Sequence, residues 1–114
     1  ADDPATEQAR QRYESGTRHY DLGHWDEAIV DYEKAYELRP DPSFLFNLAQ
    51  TYRRKCDAKR ALDLYRNYLR KVPKSPQRED VEEKIAALQS QLDEAATKPA
   101  GAPIEWMNWW RAEG

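Results

Sequence analysis

A single cysteine, Cys56, stands in a chain of 114 residues, alongside only four glycines and two histidines. One cysteine excludes an internal disulfide and a cysteine-rich metal site, and it leaves the redox compartment open. No apolar run approaches 18 residues, so no membrane span is expected. There is no glycine-rich phosphate loop and no G-x-S-x-G turn. No segment alternates apolar and polar residues for long enough to make a strand. A secretion leader is not legible, and "ADDPATEQ" would also suit a mature N-terminus after cleavage. A soluble protein of the cytoplasm, or of the periplasm after leader removal, fits these features.

What is present is charge, arranged in blocks. Residues 1–42 carry 11 acids and 5 bases, residues 53–78 carry 10 bases and 2 acids, and residues 79–97 carry 6 acids and 1 base. Stacked elements that neutralise one another produce this pattern, and so does a surface for an acidic partner. Three dipeptides also recur as punctuation: Asp3-Pro4, Asp41-Pro42 and Ser75-Pro76. Asp or Ser at an N-cap accepts backbone N–H bonds, and Pro fits the first helical position. The pattern predicts five helices: one from Pro4 to Leu22, then Trp25–Leu38, Pro42–Lys55, Ala58–Val72 and about 76–96. The fifth places Val81, Ile85, Leu88 and Leu92 on one face. The fold class is all-α.

Shifted by 33 residues, the chain aligns with itself. Tyr13 meets Phe46, Gly16 meets Ala49, His19 meets Tyr52, Ala28 meets Ala61, Tyr32 meets Tyr65 and Pro40 meets Pro73. Small residues recur where helices must approach closely, and aromatics recur beside them. The copies "GTRHYDLGHWDEAIVDYEKAYELRP" and "AQTYRRKCDAKRALDLYRNYLRKVP" resemble the tetratricopeptide repeat, a helix–turn–helix unit of about 34 residues. Departures are Cys56 opposite Gly23, Ala58 opposite Trp25, and Tyr68 opposite Ala35. The expected layout is a domain over 1–97, with repeats at about 9–40 and 42–73 and a capping helix over 76–96. A linker over 98–103 and an aromatic tail over 104–114 follow. The register also aligns Asp26 with Lys59, Glu27 with Arg60, Glu33 with Arg66 and Glu37 with Arg70, and these pairs are expected to neutralise each other across the stack.

The resemblance implies a non-catalytic protein-interaction module without a cofactor, whose concave side receives extended or helical peptides. The candidates there are Tyr13, Thr17, Tyr20 and Asp21 on the first helix, and Phe46, Asn47, Gln50, Arg53 and Arg54 on the third. Chaperone-binding members of the family clamp a peptide carboxylate with Lys and Asn. Only Asn47 matches that set, since Tyr13, Thr17, Gln77 and Val81 fill the other places, so no carboxylate clamp is expected. Nucleic acid is disfavoured: net +8 over 53–78 could meet phosphates, but the pI is about 5.4 and Tyr52, Tyr65 and Tyr68 fall at repeat-core spacing. His19 and His24 lie five apart across a helix end, away from the i, i+4 spacing of a two-histidine metal site on one helix. His19 is assigned to the packing face, and His24 and Cys56 to turns.

The tail reads "IEWMNWWRAEG". As a helix it would put Trp106, Trp109 and Trp110 on one face with Met107 at its edge. Three exposed indoles make a patch that soluble monomers avoid. The expectation is that this segment docks on the repeat helices of a neighbouring copy and closes a two-fold homodimer. Docking on its own chain would need a surface near the fifth helix, around Tyr68, Val81 and Ile85. The abrupt change of composition after Pro103 is also what an appended, engineered segment would show.

Overall fold

In a computed structural model the described residues are 3–97, and they form five helices in chain order. These are α1 (Pro4–Asp21), α2 (Trp25–Leu38), α3 (Pro42–Arg54), α4 (Ala58–Lys71) and α5 (Arg78–Thr97). The linker and the tail, including Trp106, Met107, Trp109 and Trp110, lie outside the described residues. Each helix packs on the next: α1 on α2, α2 on α3, α3 on α4 and α4 on α5.

Local chemistry sets the helix starts. Asp3 Oδ1 accepts from the Thr6 backbone N–H at 2.7 Å, Asp41 Oδ1 from Ser43 at 2.9 Å, and Asp57 Oδ1 from Arg60 at 3.2 Å. Each satisfies a first-turn donor that has no partner within its helix. Pro4 and Pro42 occupy the first turns of α1 and α3. The third dipeptide behaves differently, because α5 begins at Arg78 rather than 76. Ser75 is buried, its Oγ lies 2.7 Å from the Tyr68 hydroxyl and accepts from the Gln77 N–H at 3.1 Å. That anchoring holds Ser75-Pro76 in a turn, and the helix starts two residues later.

The helix stops inside each hairpin share one device. Gly23 has φ 75° after α1, and Cys56 has φ 71° after α3. Around Gly23 the His24 N–H bonds His19 O at 2.8 Å and the Gly23 N–H bonds Tyr20 O at 3.0 Å. Around Cys56 the Asp57 N–H bonds Tyr52 O at 2.9 Å and the Cys56 N–H bonds Arg53 O at 3.0 Å. Both are the paired six-to-one and five-to-two bonds of a Schellman stop. The left-handed conformation costs a residue with a Cβ about 1–2 kcal/mol, so Cys56 sits where glycine is favoured.

The core repeats with the sequence. Ala28 and Ala61 are fully buried at equivalent positions, and so are Ala35 and Ala49 at other contacts. Tyr13 lies 6.0 Å from Tyr32 between ring centroids, and the equivalent pair Phe46 and Tyr65 lies at 6.1 Å. Gly16 lets α1 approach α2 at the Tyr32 ring: a Cβ there would stand 2.8 Å from Tyr32 Cε1 and 3.2 Å from Asp31 Cβ. On α5, Val81 and Leu88 are buried in a cluster with Leu45, Tyr65 and Tyr68, flanked by half-buried Ile85 and Leu92. Tyr68 and Val81 therefore belong to the core, with Ile85 half-buried at its edge.

The charge blocks do not neutralise in the expected pairs. Lys59 bonds Asp63, Arg66 donates to Gln89, Arg70 approaches Asn67, and Arg60 sits 5.2 Å over the Tyr52 ring. The α4 bases instead reach partners on α3, on α5 and one turn along α4 itself. Lys55 with Asp26, at 2.6 Å, joins the basic band to the acidic block, with both side chains well exposed. Such pairs contribute about 0–1 kcal/mol.

Two substitutions test this account. Gly16→Ala gains helix propensity worth up to about 1 kcal/mol but drives a methyl into a rigid ring; a net loss of about 1–2 kcal/mol in denaturant unfolding is expected. Cys56→Gly should relieve the left-handed strain and raise stability by about 0.5–1 kcal/mol in the same measurement. A lowered unfolding midpoint for Cys56→Gly would contradict the assigned strain.

Candidate peptide-binding site

Tyr13 and Asn47 join two adjoining clefts along α1 and α3. One, of about 350 Å³, is lined by Tyr13, Phe44, Phe46, Asn47, Tyr68 and Gln77. The other, of about 210 Å³, is lined by Tyr13, Thr17, Tyr20, Asp21, Asn47 and Gln50. The helical period explains the grouping. Tyr13, Thr17 and Tyr20 follow at i, i+4 and i+7 on one face of α1, and Asn47 and Gln50 follow at i and i+3 on α3. Six of the eight groove candidates on these helices, together with Asp21, thus line one continuous depression.

The walls are well packed and carry no cation. Tyr13 is 37% exposed, yet its ring packs 5.8 Å from Phe44 as well as against Tyr32. Phe46 packs 5.4 Å from Tyr68. The Tyr32 hydroxyl lies 3.0 Å from Thr17 Oγ1, which fixes the threonine rotamer. Burial pushes the Tyr32 hydroxyl pKa up, and the Thr17 hydrogen bond draws it partly back. Among the residues lining the two clefts there is no Lys or Arg, and Asp21 is the one charged group.

Arg53 and Arg54 are not brought into the clefts. Arg53 is six residues beyond Asn47, about 120° away around α3. It lines a separate depression of about 270 Å³ with Cys56, Lys84 and Leu88. Its guanidinium also draws down the pKa of Tyr65, against the larger upward push of burial. Arg54 does lie on the Asn47 face, but two turns further on, where it stacks 5.5 Å over Trp25. Trp25 in turn meets Tyr20 edge-on at 5.3 Å. The residues that sequence reasoning left out of the site reach it through different rings, Phe44 beside Tyr13 and Tyr68 beside Phe46. Tyr68 differs from its repeat counterpart Ala35, and that departure was the available signal.

Two of the tyrosines considered for base stacking, Tyr65 and Tyr68, are buried, and the third, Tyr52, is covered by Arg60. The histidines fall elsewhere. His19 is half-buried and His24 exposed, and their rings lie 5.7 Å apart at the α1–α2 turn.

Two helix hairpins that share one register, followed by a fifth helix, define an all-α helical-repeat protein. The family profile described as Tetratricopeptide repeat matches residues 13–76, more than half of the chain, and the chain belongs to that family. Comparison with curated proteins gave no match. Tetratricopeptide repeats are non-catalytic units that generally mediate protein–protein interaction. No helix among the described residues is long and apolar enough to cross a membrane.

Proposed function

We propose that this chain is a non-catalytic interaction module that takes an aromatic-bearing peptide or helix in the joined clefts of α1 and α3. The observation that carries this reading is the composition of the clefts: aromatic walls, amides at Asn47 and Gln50, and no cation. Such a surface pairs ring faces with apolar side chains and offers the amides to a peptide backbone. It has nothing with which to hold a terminal carboxylate. Tyr13, Thr17, Tyr20, Phe46, Asn47 and Gln50 are the contact residues of this reading, and Arg53 and Arg54 are not.

The ligand closest at hand is the chain's own tail. Trp106, Met107, Trp109 and Trp110 supply the aromatic and apolar groups that the clefts would take, and the "KPAGAP" segment gives a reach of about 20 Å from the end of α5. In this reading the tail is exchanged between two copies. A homodimer closed by mutual tail docking follows from this reading.

Two measurements check it. A synthetic IEWMNWWRAEG peptide titrated into a chain ending at residue 97 should bind saturably. Affinity should fall at least about tenfold for Tyr13→Ala, in line with loss of an aromatic contact of about 1.4 kcal/mol. Amidating the peptide should change its affinity little; a tenfold loss would reveal a carboxylate clamp. In sedimentation, the full-length chain should be a dimer at micromolar concentration, and removal of residues 104–114 should give a monomer of unchanged helix content. Equal association states for the two chains would reject the exchange.

A further inference from the structure

We propose that His19, His24 and Glu27 form a binding site for a divalent transition-metal cation of the zinc type at the α1–α2 turn. One ring nitrogen of each histidine and a carboxylate oxygen of Glu27 all lie within 4.8 Å of one another. Ligand atoms around tetrahedral zinc, at about 2.0–2.1 Å from the metal, stand about 3.3 Å apart. Closing the remaining distance of up to about 1.5 Å requires only side-chain rotation. His24 and Glu27 have that freedom, with side chains 50% and 56% exposed.

The turn itself imposes the proximity. His19 and His24 occupy the two ends of the six-to-one bond of the Schellman stop, positions whose side chains are commonly in contact. The second repeat gives an independent measure of the same geometry. There Tyr52 takes the place of His19 and Arg60 the place of Glu27, and the Arg60 guanidinium lies over the Tyr52 ring. The equivalent of His24 is Asp57, with nearly the same backbone angles: φ −86°, ψ 76° for His24 and φ −98°, ψ 82° for Asp57. Asp57 spends its side chain on capping α4, whereas His24 makes no side-chain cap bond to α2. Its imidazole is left for another partner.

The surroundings of His19 suit a ligand. Among the described residues Nδ1 of His19 is shielded from solvent and has no hydrogen-bond partner. Its Nε2 stands 3.9 Å from Asp31 Oδ2. Asp31 is buried and held by Ser15 Oγ at 2.6 Å and Arg12 Nη1 at 3.2 Å. In the proposed site Nδ1 binds the metal and Nε2–H turns to Asp31, the carboxylate–histidine–metal arrangement that fixes ring orientation and raises ligand basicity. His24 and Glu27 complete three protein ligands, and water takes the fourth position. Two imidazoles with one carboxylate favour zinc and its late first-row neighbours over calcium or magnesium.

The test is calorimetric titration of zinc chloride into the full chain, in a non-chelating buffer, with a melting curve at each metal ratio. One saturable equivalent is expected, with a melting temperature that rises as the site fills. His24→Ala and Glu27→Gln change exposed groups, so the chain should still fold, and His24→Ala should weaken zinc at least about tenfold. Cys56→Ser should bind as the parent does. The proposal is overturned if the parent shows no saturable binding, if His24→Ala binds zinc unchanged, or if Cys56→Ser is the variant that loses it.

Discussion

The left-handed residue that closes α1, and its counterpart after α3, is the constraint on which the rest of the architecture depends. A helix that reaches Leu22 can turn back on itself only if the next residue reverses the backbone, and Gly23 does so without steric cost. The reversal brings α2 antiparallel to α1, which sets Tyr32 against Gly16 and Asp31 beside Ser15. Because Cys56 adopts the same angle, the second hairpin copies the first, and Phe46 meets Tyr65 as Tyr13 meets Tyr32. Stacking two hairpins with the same turn then brings the faces of α1 and α3 together, as the Tyr13–Phe44 contact shows. The clefts are a consequence of that sequence of constraints, and no cleft residue had to be chosen to make them. What the residues choose is the lining.

Much of the fold could be read from the chain alone because its signals are local. Asp3, Asp41 and the two prolines behind them act within one turn, and the 33-residue register follows from side chains that each fill one gap. Where reading failed, a tertiary contact had intervened. Ser75-Pro76 has the local form of a helix start, but the Tyr68 hydroxyl, seven residues back, holds the serine in a turn. The aligned charges of α2 and α4 failed for a similar reason: Tyr52 on α3 takes up Arg60, and Gln89 on α5 takes up Arg66. Arg54 shares the face of Asn47, as helical spacing suggests, yet Trp25 from the neighbouring hairpin captures it.

The histidines show a different case. A spacing of five does not place two side chains on one face of a helix, and by that rule His19 and His24 are unrelated. The rule holds only while the helix continues. Once Gly23 reverses the chain, five residues is the separation that the six-to-one bond brings together. The signal was present in the sequence as a histidine placed one residue after a turn glycine, but its meaning depended on the stop motif. The second repeat carries Tyr52 and Asp57 at these places, so the same backbone supports an aromatic contact and a helix cap there instead.

The two surfaces are also kept apart by helix geometry. Tyr13, Thr17 and Tyr20 run along one stripe of α1, while His19 sits about 100° from Tyr20 around the axis and opens toward the turn. A cation at the turn would thus not enter the clefts. It would instead tie the last turn of α1 to the first turn of α2, the two segments that carry Tyr20 and Trp25 into edge-on contact. Tyr20 is both a wall of the smaller cleft and the ring that Trp25 supports. A fastened turn would hold that wall in place before any peptide arrives, and a wall already ordered leaves less conformational entropy to be lost on binding. In this way a single reversal of the backbone at Gly23 serves the hairpin, the turn cluster and the floor of the groove together.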